Sequence, residues 1–289
     1  MKTVSEYLKE KYGQKVYKIA LSANVSCPNR DGTIGTRGCI FCSEGGSGEF
    51  AADKNKKIKE QIDDAKGLIK SKVNNCLYIA YFQSFTNTYA PIDYLRKIFY
   101  EAINQEDIVI LSIATRPDCL SQEVLELLEE LRKIKPVWVE LGLQTIHEKT
   151  ANYIRRGYSL EIYDRAVIEL KKRGIEVIVH VILGLPGETQ EEMIETVKYV
   201  INSGINGIKL QLLHVLRGTD LAKDYELGKF KALELDEYIK ILKVLKDLIP
   251  DEVIVHRLTG DGPKKLLIAP KWSENKKKVL NIINKEILT

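Results

Sequence analysis

Apolar runs rich in Val, Ile, Leu and Tyr alternate along the chain with charged segments whose apolar positions recur at helical spacing. The strand-like runs are VYKIALSA (16–23), CLYIAYFQ (76–83), IVILSIAT (108–115), VWVELGLQ (137–144), EVIVHVILG (176–184) and GIKLQLLHV (207–215). Near-continuous apolarity fits strands buried on both faces, as in a parallel sheet covered by helices. Between the runs the spacing predicts helices over 56–72, 92–104, 121–133, 160–173 and 189–203, with another over 234–248 after the sixth run. In 121–133 one face is marked by Val124, Leu125, Leu128 and Leu131, and Ser121 stands at the N-cap. Six strand-then-helix units in a row predict an α/β barrel-like fold. A complete eight-unit barrel takes about 250 residues, so the expectation is a partial (β/α)6 barrel. A seventh run, EVIVHRL (252–258), is a further strand or edge, and 271–289 reads as a terminal helix. No linker, low-complexity tract or internal repeat interrupts the pattern. One domain is therefore expected over 1–289, with a core at about 15–260 and a C-terminal extension over 261–289.

The composition adds little to this picture. The 289 residues are 44% hydrophobic and 29% charged, which is ordinary for a globular chain. No apolar run reaches the roughly 18 residues of a membrane span, so no membrane association is expected. The N-terminal MKTVSEYLKEKYGQKVYK has no apolar h-region, so the expectation is a chain without a signal peptide, working in the cytoplasm. The net charge of +4 neither demands nor excludes nucleic acid. The positive residues do cluster, at Lys54, Lys56, Lys57 and Lys59, at Lys171 to Arg173, at Lys264 and Lys265, and at Lys276 to Lys278. Each cluster alone reads as a solvated helix face. An RNA-facing role gains weight only where several of them meet in space.

In folds of this kind chemistry gathers at the C-terminal ends of the strands. The polar residues placed there are Gln83 and Ser84, Thr115 and Arg116, Glu140 and Gln144, Gly184, and His214. Taken singly, each is better read as a satisfied loop group.

The strongest chemical signal is CPNRDGTIGTRGCIFC, from Cys27 to Cys42, with eleven residues between the first two cysteines and two between the last pair. Five cysteines in a chain without secretory features argue against a disulfide framework and for metal or redox chemistry. A structural zinc takes four ligands, often as two close pairs. Here there is one close pair, and the four histidines (His147, His180, His214 and His256) lie far downstream. A thioredoxin-like Cys-x-x-Cys needs neither a third cysteine nor a glycine-rich loop. A four-iron cluster fits better, because three thiolates leave one iron open for a small molecule. Glycines at 32, 35 and 38 let the loop wrap a compact inorganic core. Ile40 and Phe41 sit between the close pair, where they can exclude water. Cys76 opens a strand and reads as a core residue, and Cys119 reads as structural or incidental.

The three-cysteine loop, placed after a first strand and before a partial barrel, resembles the radical S-adenosylmethionine superfamily. The gap between the first two cysteines is longer than the superfamily's usual three residues, as in the subgroup of the Elongator catalytic subunit. With the loop, FQSFTNTYAP, TRPDCL, ELGLQTIHEKT, RRGYS, HVILGLPGET, LLHVLRGTDLA and HRLTGDGP together resemble the YhcC/YtqA-like, or MnmL-type, family. The resemblance implies a partial TIM-like barrel in which Cys27, Cys39 and Cys42 hold a [4Fe-4S] cluster and S-adenosylmethionine chelates the open iron. It places Phe41 near the adenine, and Gln83 and Ser84 at the methionyl amine, although this stretch lacks the common Gly-Gly-Glu. Glu140 or Gln144 is placed at the ribose hydroxyls, Arg156 at the methionyl carboxylate, and Thr115 and Arg116 on the substrate side. GLPGET (184–189) reads as a tight turn before a helix and, by resemblance, also as a neighbour of the adenine. The implied reaction converts 5-carboxymethylaminomethyl-uridine at the tRNA wobble position to the 5-aminomethyl form, with an electron donor such as flavodoxin or ferredoxin. Two other readings stand beside it: a radical enzyme acting on a small molecule or peptide, and a non-catalytic metal-binding module.

Overall fold

The computed structural model describes residues 1–46, 48–70, 76–260 and 262–288. Positions 71–72 of the helix expected over 56–72, Asp261 of HRLTGDGP, and Thr289 of the terminal helix lie outside the described residues. The chain opens with α1 (Val4–Tyr12), then alternates β1 (Val16–Leu21), α2 (Ile58–Lys70), β2 (Leu77–Phe82), α3 (Ile92–Ile103), β3 (Ile108–Thr115), α4 (Gln122–Arg132) and β4 (Val137–Gln144). It continues with α5 (Glu148–Tyr153), α6 (Leu160–Lys172), β5 (Glu176–Leu183), α7 (Gln190–Asn202), β6 (Gly207–Leu212), β7 (Val215–Leu216), α8 (Asp220–Glu226), α9 (Leu235–Leu248), β8 (Ile254–Arg257), β9 (Leu267–Ala269) and α10 (Lys276–Ile283).

Seven strands form one parallel sheet in the order β1-β2-β3-β4-β5-β6-β8, curled into a partial barrel. The seventh apolar run supplies the edge strand β8, so the sheet has one strand more than the six-unit reading. Helix starts follow the chemistry in the sequence. Ser121 Oγ accepts from Val124 N at the head of α4, and Thr189 with Glu192 closes a capping box at the head of α7. The terminal segment is broken where one helix was expected: a 3-10 turn at Lys271–Glu274 precedes α10, and a π turn at Asn284–Leu288 follows it. Pro270 ahead of the first turn and Asn275, whose side chain caps α10, explain the break.

The sheet is covered on its outer side by the apolar faces of the helices. Phe82 and Phe99 meet there edge to face with ring centroids 5.1 Å apart. The inner side is layered. Ile79, Ile110, Trp138 and Ile178, from the starts of four strands, pack against Leu8 of α1, which closes that end of the barrel. One pleat further along come Lys18, Tyr81, Ser112, Glu140, His180 and Lys209. The first layer is therefore an apolar floor beneath a polar one. After β8 the chain returns, and β9 pairs antiparallel with β7, which lays the C-terminal extension beside the open end.

Trp138 is 1% exposed, and its ring lies 4.8 Å from that of His256. Trp138→Ala is expected to lower the unfolding free energy by about 3–5 kcal/mol, read from the urea midpoint by circular dichroism. A loss below about 1 kcal/mol would mean that the floor is not a packed layer.

Candidate functional site

The open end of the barrel holds a cavity of about 880 Å³. Its wall includes all three loop cysteines, Cys27, Cys39 and Cys42, and it reaches down to Lys18, Glu140 and Lys209 of the polar layer. Small-molecule sites span about 300–1,000 Å³, so this one is large enough for a cofactor and part of a second ligand.

The loop is shaped mostly by its own backbone. Arg30 N donates to Cys27 O at 2.8 Å, and Cys42 N donates to Cys39 O at 3.0 Å. Gly38 has φ +72°, and a Cβ there would stand 2.9 Å from Arg30 Nε, so both conformation and space call for glycine. Asn29 Nδ2 donates to Arg155 O at 2.6 Å. Ile40, between the close pair, is tied on both sides: its N–H donates to Ile154 O at 3.1 Å, and its C=O accepts from Leu221 N at 3.0 Å. Its side chain is buried with Ile154, Leu213 and Leu221, while Phe41 faces the cavity. Ile40 is thus an anchor and Phe41 a wall.

The three thiols suit a cluster better than a single ion. Among the described residues no three His, Cys, Asp or Glu side chains close around one ion. A four-iron cluster instead takes each thiolate on a different iron, which suits three cysteines spread round one cavity. Burial, then the neighbouring Cys42 thiol, pushes the Cys39 thiol up to about 12, against the pull of Arg116. A positively charged iron centre held by Cys27, Cys39 and Cys42 would supply the compensation that three thiolates need here.

Other expected residues fall at different depths. Gln83, directly after β2, and Gln144, at the end of β4, line the cavity. Gln144 holds φ +70°, the left-handed region, which a non-glycine residue adopts at a cost and often at functional sites. Ser84 is buried behind the wall, where a Cβ on Gly48 would collide with its Oγ. Arg156 is 1% exposed and stands outside the cavity wall. Its guanidinium donates to Thr145 O at 2.6 Å, Tyr158 O at 3.0 Å and Glu148 at 3.3 Å, bracing the chain after β4. Thr115 and Arg116 line the cavity; Thr115 Oγ1 is 2.5 Å from Thr88 Oγ1, and Arg116 grips Asp118 at 2.9 and 2.7 Å. The turn over 184–189 has the form expected of it, with Gly184 at φ +88° and Gly187 at φ +85°, but it contributes nothing to the cavity wall. Cys76 packs partly buried against the main core. Burial and Asp118 push the Cys119 thiol up to about 12, the opposite of a reactive thiolate.

Glu140 is not at the strand end but midway along β4, and it is fully buried. It accepts from Lys18 Nζ at 2.8 Å, Ser112 Oγ at 2.7 Å and His180 Nε2 at 2.8 Å, and from Lys209 Nζ. Burial alone would raise its pKa; the ammonium groups of Lys18 and Lys209 outweigh that and hold the carboxyl well below its usual range. Burial, aided by the Lys209 charge, lowers His180 to about 4, so the imidazole is neutral at pH 7. Burial also lowers Lys209 to about 7, Glu140 opposing and Lys18 and Arg257 assisting. The reading of strand ends missed Lys18, His180 and Lys209. Their signal was present, a basic or imidazole side chain at an inward position of a largely apolar strand.

Two of the lysine clusters reach the mouth of the cavity, through Lys264 and Lys276. The others include surface ion pairs, such as Lys59 with Asp63 and Lys172 with Glu169. Among the described residues no helix is long and apolar enough to cross a membrane.

Comparison with known proteins agrees with this architecture. The sequence model for the Radical SAM superfamily matches residues 31–200, and that for the Radical_SAM C-terminal domain matches 205–288. YtqA of Bacillus subtilis is 47% identical over 285 residues, covering 99% of this chain and 88% of YtqA. A tRNA uridine(34) acetyltransferase of Methanocaldococcus jannaschii is 29% identical over 164 residues, 55% of this chain but 30% of that protein. Among solved structures, Elp3 of Methanocaldococcus infernus superposes with a TM-score of 0.71 at 20% identity, covering 96% of this chain and 64% of that one.

Replacing Glu140 leaves the buried amine of Lys209 and the half-buried ammonium of Lys18 without their counter-charge. Glu140→Gln is expected to cost about 3–5 kcal/mol of stability. Lys209 titrates lower folded than unfolded, so the unfolded state binds more protons and stability rises with pH. In the variant the folded lysine titrates lower still, so the deficit against wild type should be largest near pH 6 and shrink toward pH 9. Urea titrations at the two pH values read it, and a deficit that grows with pH would contradict the assignment. The thiol loop, the partial barrel and the family match over more than half the length lead to one conclusion: this chain belongs to the radical SAM superfamily, and its cofactors are a [4Fe-4S] cluster and S-adenosylmethionine.

Proposed function

We propose that the protein is a tRNA-modifying radical enzyme that converts 5-carboxymethylaminomethyl-uridine at the wobble position to 5-aminomethyl-uridine. The observation that carries the reading is one cavity bounded by the three thiols at one end and a charged layer at the other, with Lys264 and Lys276 at its mouth. The name of the archaeal acetyltransferase, which acts on tRNA uridine 34, supports the substrate class. When bound, the cluster supplies the electron that cleaves S-adenosylmethionine to methionine and a 5′-deoxyadenosyl radical.

The chain's own residues hold, orient and shield. Cys27, Cys39 and Cys42 ligate the cluster. Phe41, Gln83 and Gln144 contact S-adenosylmethionine from the wall; Phe41 offers an apolar face, and the two amides offer donors and acceptors. Arg156 acts through the carbonyls it braces, so it is a positioning residue and not a partner of the methionyl carboxylate. Glu140 is saturated by its own donors and orders the interior, which leaves the ribose to Gln144. The mouth lysines attract the phosphate backbone in a salt-dependent way. A wobble base in a single-stranded loop enters a pocket without the cost of opening a duplex.

The decisive experiment is nucleoside mass spectrometry on tRNA carrying the carboxymethylaminomethyl base, incubated anaerobically with reconstituted protein, a reductant and S-adenosylmethionine. Loss of that base with gain of the aminomethyl form is expected. Formation of 5′-deoxyadenosine with unchanged tRNA would overturn the substrate and keep the radical chemistry. Cys39→Ala is expected to lose the visible absorbance of the cluster and to form no 5′-deoxyadenosine. Normal cleavage by that variant would remove Cys39 from the ligand set.

A further inference from the structure

The polar layer holds more positive charge than its own structure needs. Lys18 and Lys209 line the cavity at this level and share the one Glu140 carboxylate. His180 accompanies them as a neutral ring, and Tyr81 presents its face to both lysines, with Lys18 Nζ 4.6 Å and Lys209 Nζ 4.5 Å from the ring centroid. Taking an ion out of water costs several kcal/mol even after relaxation. One lysine suffices to neutralise Glu140; a second basic side chain at this depth adds a desolvation cost that the fold does not require. An apolar residue on β1 or β6 would pack at lower cost, so the surplus is unexplained by folding.

The geometry points outward to a ligand. The Glu140 side chain is 0% exposed, that of Lys209 7% and that of Lys18 27%, so the buried carboxylate holds the two ammonium groups toward the open space. Lys18 retains donors beyond the one spent on Glu140, and Lys209 retains one beyond those given to Glu140 and, at 3.3 Å, to the Tyr81 hydroxyl. What completes such a site is an anion small enough to enter a barrel. A carboxylate forms charge-assisted hydrogen bonds with ammonium groups at close range.

We propose that Lys18 and Lys209, spaced by Glu140, form a receptor for a carboxylate of the substrate at the deep end of the cavity. This rests on the wobble-uridine reading, in which the substituent to be cleaved ends in a carboxylate and the product lacks one. The receptor and the thiol loop line opposite ends of the same cavity. An anchored carboxylate therefore places the carbons next to it between the two. The receptor would also favour product release, since the aminomethyl product brings a cation and no anion to the two lysines.

The test is the affinity of cluster-loaded protein with S-adenosylmethionine for two probes, 5-carboxymethylaminomethyl-uridine and its methyl ester, measured by calorimetry. Wild type should bind the acid at least about tenfold more tightly than the ester. Lys18→Met and Lys209→Met should each erase most of that preference while affinity for the ester changes little. Equal affinity for acid and ester in wild type, or binding of neither, overturns the receptor, and that comparison needs no variant to fold. A preference that survives in both variants overturns it as well. The substrate reading fails separately: acid bound with preference, yet tRNA returned unchanged in the mass spectrum, sinks the reaction and leaves the receptor standing.

Discussion

The carboxylate of Glu140, buried inside the barrel, is the point on which the rest of the interior turns. It joins residues of β1, β3, β5 and β6 to β4 through four side-chain hydrogen bonds. Neighbouring strands lie about 4.8 Å apart. In a flat sheet β1 would therefore stand about 14 Å from β4, well beyond a 2.8 Å hydrogen bond from Lys18. Only a curled sheet brings these strands to face one another across an interior. The same curl gathers the strand ends that carry Gln83, Thr115 and Gln144 around one cavity. Curvature, charge network and site are thus one arrangement.

Along the axis of that interior the chemistry changes in steps. The apolar floor of Trp138 and its neighbours rests on α1, the charged layer sits above it, and the cysteine loop lies at the mouth. Each step follows from where polar residues fall on a two-residue repeat. On β4 the inward positions read Trp138, Glu140, Gly142 and Gln144, from apolar to charged to open to amide. The glycine in this series keeps the wall thin beneath the loop, and the Tyr158 hydroxyl donates to its carbonyl.

Much of the fold was legible in the sequence. The six apolar runs became six strands, and the six helices expected between residues 56 and 248 lie within two residues of their observed ends wherever those ends are described, whereas the terminal helix expected over 271–289 is broken into three short helical segments. Helix α1 was not read because its apolar face is short, and α5 and α8 are too brief to show a period. The pairing of β7 with β9 joins segments about 50 residues apart, a contact that no local pattern reports. The cysteine loop stood out in the sequence because few sites call for three thiols in a glycine-rich loop, and the fold brings all three to the wall of one cavity. Arg156 was not: a guanidinium after a strand looks alike whether it faces a ligand or props up carbonyls, and only burial tells the two apart. Glu140 was placed by counting from the strand end, whereas its depth depends on the register of β4 against β3 and β5.

The anchoring of Ile40 has a consequence for the life of the protein. Both of its backbone groups are fixed by carbonyl and amide partners on other segments, and its side chain is packed, so the Cys39–Cys42 turn takes its shape from the polypeptide. The conformational entropy of that turn is lost during folding and is not lost a second time when metal binds. Oxygen that strips iron from the site would then leave a folded scaffold with its thiols still in place. Such a protein is refillable: repair after oxidative damage becomes a matter of resupplying iron and sulfide and does not require a new chain.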